Sequence, residues 1–201
     1  NMHILLTRPL EDCSEMIDKF KSLGHIVSHL PLLTVEKIVH DKINFEDFNG
    51  VIFTSANAVK FINHDEINKT IKCFCVGGAT EKKARSFGFQ NTIAAEGNVS
   101  NLKELILQNY DSSNGQLLYV SGETITVDLD QQLINEGYSI KRIINYKVNH
   151  NQNFKEEFVN KSFGVPSPIT HNYICRSSFL DLMLKDVLDD KELGTILYLT
   201  K

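Results

Sequence analysis

Apolar positions along this chain fall into short runs whose period keeps switching between that of a strand and that of a helix. Residues 3–7 run apolar as a strand does, and Cys13, Met16, Ile17, Phe20 and Leu23 then recur at helical spacing. Asp12 is the expected N-cap of that helix, with Glu15 as its capping-box partner and Gly24 as its stop. Residues 25–29 predict a second strand, and Pro31 leads into an extended stretch over 32–39. The charged, Asn-bearing residues 40–49 have no clear period and predict a connection. Strand-like runs follow at 51–54, 71–76, 91–94, 117–120 and 138–148. Helix-like runs lie between them at 57–63, 80–87, 101–109 and 128–136, with Ser100 the expected cap of the third. Gly88 and Gly137 close the second and fourth. The remainder predicts helix, strand, helix and strand at 154–163, 169–175, 179–188 and 195–200.

Strands separated by helices imply crossover units, hence an α/β fold built on doubly wound, mostly parallel sheets. Residues 40–148 hold enough elements for one complete domain, whereas 1–30 and 149–201 are each too short to stand alone. Joining the two ends resolves this. It gives a first domain of residues 1–34 plus 149–201, with 35–148 inserted as the second. Segments 32–39 and 144–150 would run side by side as a two-stranded linker between them.

Composition narrows the function. The chain has 201 residues, 42% of them hydrophobic and 23% charged, as an ordinary folded protein does. A formal net charge of −4 argues against non-specific nucleic-acid binding, which needs a basic surface. No apolar run approaches the ~20 residues that cross a membrane, and no signal-peptide pattern opens the chain. A cytoplasmic protein, and nothing beyond a monomer, is expected. Cys13, Cys73, Cys75 and Cys175 lack metal-site spacing and predict reduced packing thiols, with Cys73 and Cys75 on one strand face. His25 and His29 would stand roughly 13 Å apart on a strand, too far for one ion. No metal is expected.

Ligands of open parallel sheets bind beyond the carboxyl ends of strands, where helices begin. Those positions here are small, flexible or hydroxyl-bearing: Thr7-Arg8-Pro9, Thr54-Ser55-Ala56-Asn57, Gly77-Gly78-Ala79-Thr80, Glu96-Gly97-Asn98, Ser121-Gly122-Glu123 and Arg176-Ser177-Ser178. Helix N-termini offer free N–H groups, each worth about 0.3–1 kcal/mol towards an anion. Capping and turn formation account for any one such joint equally well. No G-x-G-x-x-G, no Walker-type G-x-x-x-x-G-K-S/T and no G-x-S-x-G is present. On the strand 138–148, alternation puts Ile140, Arg142, Ile144, Tyr146 and Val148 on one face. Tyr146 is there either a packing residue with a wet hydroxyl or a group facing a cleft.

Taken in order, "ILLTRP" (4–9), "PLLTVE" (31–36), "VIFTSANAV" (51–59), "VGGAT" (76–80), "EGNVSNLKELI" (96–106), "LLYVSGE" (117–123), "IINYKV" (143–148) and "FGVPSPIT" (163–170) resemble the uroporphyrinogen-III synthase family. The resemblance implies two α/β domains with a two-stranded linker and an active site in the cleft between them. It implies a lyase that closes the linear tetrapyrrole hydroxymethylbilane to uroporphyrinogen III, inverting ring D and losing water, with no cofactor. Because the polycarboxylate substrate also closes spontaneously to the type I isomer, the enzyme's task is mainly orientation and preorganised polarity. By matching, Tyr146 is the candidate general acid and Thr80 the second catalytic candidate. Thr7, Arg8, Thr54, Ser55, Asn57, Gly77, Gly78, Ser121, Gly122 and Ser177 are candidate substrate-binding residues. The family pattern continues past 195–200 through a loop, helix, strand and helix, so the first domain is expected to be C-terminally incomplete here. The competing reading is a non-catalytic two-domain protein that closes on a small polyanion with the same loops.

Overall fold

The structure, a computed structural model, describes residues 3–153, 171–175 and 196–199. The expected helices at 154–163 and 179–188, and Ser177, lie outside the described residues. The chain divides into two compact units, Asn1–Thr34 with Asn149–Lys201, and Val35–Val148.

In the first unit, β1 (His3–Leu6), α1 (Leu10–Ser22) and β2 (Ile26–His29) are joined by β9 (His171–Cys175) and β10 (Ile196–Leu199). The sheet order is β10-β9-β1-β2, and its three strand pairs are parallel. Ile4, Leu6 and Cys13 are buried against Val27 and against Met16, Ile17 and Phe20 of the stripe that the helical spacing predicts, whereas Leu23, also expected on that stripe, is exposed. The helix starts earlier than its polar residues suggest. Pro9, not Asp12, occupies the N-cap, and Asp12 lies inside α1. Proline lacks an N–H and has a preset φ, so a helix can open directly behind it.

The second unit is a six-stranded sheet with helices on both faces. Its elements are β3 (Leu33–Lys37), β4 (Phe48–Phe53), α2 (Ala56–Phe61), β5 (Lys72–Val76), α3 (Gly77–Ser86), β6 (Asn91–Ala95), α4 (Val99–Asn109), β7 (Gln116–Gly122), α5 (Leu129–Asn135) and β8 (Ile140–His150). The strand order is β3-β8-β7-β4-β5-β6. From β8 to β6 every neighbouring pair is parallel. The sheet is nonetheless mixed, because β3 runs against β8: Ile38 N–H donates to Asn145 O, while Glu36 faces Lys147 across the pair.

Two apolar layers cover this sheet. On one face Val51, Phe53, Cys73, Cys75, Leu118 and Val120 pack under Ala58, Val59 and Ala84 of α2 and α3. On the other, Ile52, Phe74, Leu117 and Tyr119 pack under Leu102, Ile106, Leu129 and Leu133 of α4 and α5. Strands buried on both sides explain why 51–53 reads as a continuous apolar run rather than an alternation. Cys73 and Cys75 share one face as expected, with sulfurs 3.8 Å apart. The Cys75 thiol and burial push the Cys73 thiol strongly up, so Cys73 is an inert packing group.

In the second unit two helix starts differ from expectation by more than one residue. Asn98, not Ser100, caps α4. Its side chain accepts from Ser100 N and Asn101 N while Asn101 reaches back to Asn98 N, a complete capping box. Gly97, at φ +98°, turns the chain so that this can happen two residues earlier. The other is α3, which begins at Gly77 and so takes Thr80 into its own first turn.

Candidate active site

Within the second unit, the chain runs from β4 outward through β5 to β6, then returns to the other side of β4 with β7 and β8. The order therefore reverses between β4 and β7. Loops leaving two adjacent parallel strands in opposite directions open a crevice at their carboxyl ends, the usual ligand position in such sheets. A cavity of about 200 Å³ lies at that point. Thr54, Ser55, Tyr119, Thr124, Thr126 and Tyr146 bring hydroxyl-bearing side chains to its wall, and Val99, Ile125 and Val127 supply an apolar side. None of the residues lining it is charged.

Ser55 and Tyr146 meet here, their hydroxyl oxygens 2.8 Å apart. Ser55 is also the N-cap of α2, where its oxygen accepts from Ala58 N at 3.3 Å. With one lone pair engaged, the serine can give its own proton to the phenol oxygen and leave the phenol proton free. The Tyr146 ring is held by Phe61, at 6.5 Å between centroids, and by Gly122.

The position of Tyr146 depends on a break in alternation. Ser121 pairs with Ile144 and Gly122 with Tyr146, so Asn145 is an extra residue on β8. A bulge of this kind re-aims the side chains around it. The single face expected for Ile140 through Val148 is therefore split: Ile140 packs with the α4/α5 layer, but Tyr146 packs with the α2/α3 layer. Asn145 is wholly buried, and its Nδ2 donates to Ala58 O at 2.8 Å, tying β8 to the first turn of α2.

Arg142 and Tyr119 were not singled out by the sequence. The Arg142 Nε donates to Ser121 Oγ at 2.7 Å, and its Nη2 donates to the carbonyls of Gly122 and Glu123 at 2.9 and 3.2 Å. A cation on the alternation face shared with Ile140, Ile144 and Tyr146 was the available signal. Tyr119 is 2% exposed; burial pushes its phenol up, opposed by a hydrogen bond from Thr54 and by the Arg142 charge. Its position three residues before Gly122 on the neighbouring strand carried no chemical mark.

A family model for uroporphyrinogen-III synthase HemD matches residues 14–170 of this chain. The chain belongs to the uroporphyrinogen-III synthase family. Members of that family are cyclising lyases of tetrapyrrole biosynthesis. Two solved uroporphyrinogen-III synthases share the fold. A mutant enzyme from the extremely thermophilic bacterium Thermus thermophilus superposes with a TM-score of 0.62 at 11% identity, over 100% of this chain and 84% of that one. The enzyme from Helicobacter pylori gives 0.56 at 14% identity, over 100% and 84%. No curated protein sequence matches.

The residues expected from the uroporphyrinogen-III synthase resemblance are only partly brought together. Thr54, Ser55, Gly122 and Tyr146 line the cavity described above. Ser121 is buried behind it, its hydroxyl engaged by Arg142 and by Gly122 O. Asn57 lies in α2 and Thr80 in α3, the latter 5% exposed, and neither lines the cavity. Gly77 and Gly78 open α3 beside free space, with no side-chain cap on that helix. In the first unit, Thr7 follows β1 and is buried, its hydroxyl without a partner among the described residues. Arg8 is exposed, and its carbonyl accepts from His29 Nε2 at 2.7 Å. Among the described residues no cluster of His, Cys, Asp or Glu is arranged to hold a metal, and no helix is long and apolar enough to cross a membrane.

Proposed function

We propose that this uroporphyrinogen-III synthase performs its ring closure, the loss of water from hydroxymethylbilane with inversion of ring D, at the cavity beside Tyr146. The observation that carries the reading is the Ser55–Tyr146 hydrogen bond at the mouth of the strand-order reversal. Departure of the bilane hydroxyl needs a proton, and a phenol whose oxygen is already hydrogen-bonded by Ser55 can present one. The cavity's uncharged, hydroxyl-bearing wall suits a reaction in which holding the pyrrole chain correctly matters more than one strong base.

The carboxylate arms of the substrate would be met by backbone N–H groups at the uncapped start of α3, around Gly77 and Gly78. Thr80 is buried in the first turn of that helix. We read the molecule as a two-domain α/β enzyme with residues 35–148 inserted, acting as a cytoplasmic monomer; the free thiols of Cys13, Cys73 and Cys75 accord with a reducing compartment.

The test supplies hydroxymethylbilane, oxidises the product and separates isomers I and III. The parent chain is expected to yield isomer III, and Tyr146→Phe to lower kcat for it by about 10²–10⁴-fold, the usual span for a lost general acid. Only isomer I from the parent, together with calorimetric binding of the bilane, would instead make the chain a polyanion binder. Isomer III formed at the parental rate by Tyr146→Phe would remove the tyrosine from the chemistry.

A further inference from the structure

We propose that Arg142 is a positioning residue for the ring closure, setting the height of the end of β7 and its exit, residues 121–123 (the exit turn), over the Tyr146 phenol. The inference rests on the assignment of Tyr146 above, and deepens it.

A guanidinium that serves one carboxylate is an ion pair. This one instead serves three consecutive residues of one turn through the Ser121 hydroxyl and the Gly122 and Glu123 carbonyls. The same turn is tied a second time, because Glu123 N–H donates to Tyr146 O at 2.9 Å. Both ties originate on β8, on either side of the bulge at Asn145. The exit turn is thereby clamped to the strand that carries the tyrosine, in addition to the ladder pairing of Ser121 and Gly122 with β8.

Precision matters at this point because there is no slack. A Cβ on Gly122 would lie 2.7 Å from Tyr146 Cζ and 3.0 Å from its hydroxyl oxygen, so no side chain fits between residue 122 and the reacting end of the ring. Any lift of the turn widens the cavity beside the phenol, and any drop presses on the ring. Arg142 itself does not line the cavity. It acts through the turn, without touching substrate. Lysine could keep the charge but not the planar fork, since an ammonium is a single point at the end of a flexible stem.

The experiment compares Arg142→Lys and Arg142→Met in the full chain. It measures kcat, KM, melting temperature and the 19F resonance of 3-fluorotyrosine at position 146, assigned by its loss in Tyr146→Phe. For Arg142→Lys the expected result is a melting temperature close to the parent's, KM within about twofold, and kcat lower by about 10- to 100-fold, the scale of an ångström-sized misplacement. The Tyr146 resonance should shift as well. Parental kcat in Arg142→Lys, or a lowered kcat with an unmoved resonance, would overturn the proposal. Should Arg142→Met not fold, Arg142→Lys still decides. Should Tyr146→Phe keep parental kcat, the site assignment fails on its own, and the kinetic claim for Arg142 with it. The resonance in Arg142→Lys then still reports whether the arginine sets the turn.

Discussion

At position 122 there is room for a hydrogen and for nothing larger. The nearest Tyr146 atoms stand 2.7, 2.9 and 3.0 Å from where a Cβ would be, and they belong to a ring rather than to the loose end of a flexible chain. Gly122→Ala should therefore cost about 1–3 kcal/mol, as overpacking does, and displace the phenol. Thermal melting and isomer III yield would both fall; an unchanged yield would show that the ring has somewhere else to go. Ser55 carries two duties at once, capping α2 and holding the phenol. Ser55→Ala should lower stability by about 0.5–2 kcal/mol through the lost cap, and lower activity as well. Ser55→Gly separates the two, because glycine loses only a few tenths as a cap while equally lacking the hydroxyl. Activity that survives in Ser55→Gly would mean that the serine is only a cap.

Among the elements, type and order were readable because buried strands and amphipathic helices stamp their periods directly on the chain. The strand at 51–53 and the helix face of Leu102 and Ile106 are where the pattern puts them. Helix starts were less readable, because several polar residues in a row can cap and backbone geometry chooses among them. At α4 the choice fell on Asn98, and the consequence is measurable. Asn98→Ala should cost about 0.5–2 kcal/mol in denaturant unfolding, against less than about 0.5 kcal/mol for Ser100→Ala. Equal losses would mean that the capping box contributes nothing. Of the site, the loop residues Thr54, Ser55 and Gly122 were visible as small polar groups at strand ends. The bulge at Asn145 was not, since an inserted residue leaves no period of its own, and it is the bulge that turns Tyr146 towards Ser55. Tyr119 and Arg142 stayed hidden for a related reason: their partners are distant in sequence and only the strand order brings them close.

For the molecule as a whole, acid is the expected weakness, and His64 is one place where it acts. The His64 Nε2 donates to Val59 O at 2.8 Å, its Nδ1 accepts from Lys69 Nζ at 3.1 Å, and its ring lies 4.0 Å from that of Phe87 in a parallel stack. Lys69 also donates to Phe87 O. Burial, then the Lys69 charge, lower the His64 pKa from its ordinary 6.5, with the Val59 carbonyl and Asp65 pulling the other way. The folded state thus favours the neutral ring. The associated stability is complete above about pH 6.5 and is lost as pH falls through the lower folded-state value. The melting temperature should drop on acidification through that window, and less so in His64→Phe, which can keep the stack without a charge. Equal slopes in the two proteins would acquit the histidine. The division of the chain has a consequence of a different kind, in the order of events during synthesis. The β4–β8 strands find their parallel partners within residues 35–148, whereas β1 pairs with β9, which comes from the far end of the chain. A ribosome therefore delivers all the pieces of the second unit while β1, already able to pair with β2, still waits for β9. Nascent chains arrested soon after residue 148 has emerged should already hold one finished half and a short strand–helix–strand remnant with an open edge, the stage at which chaperone protection matters most.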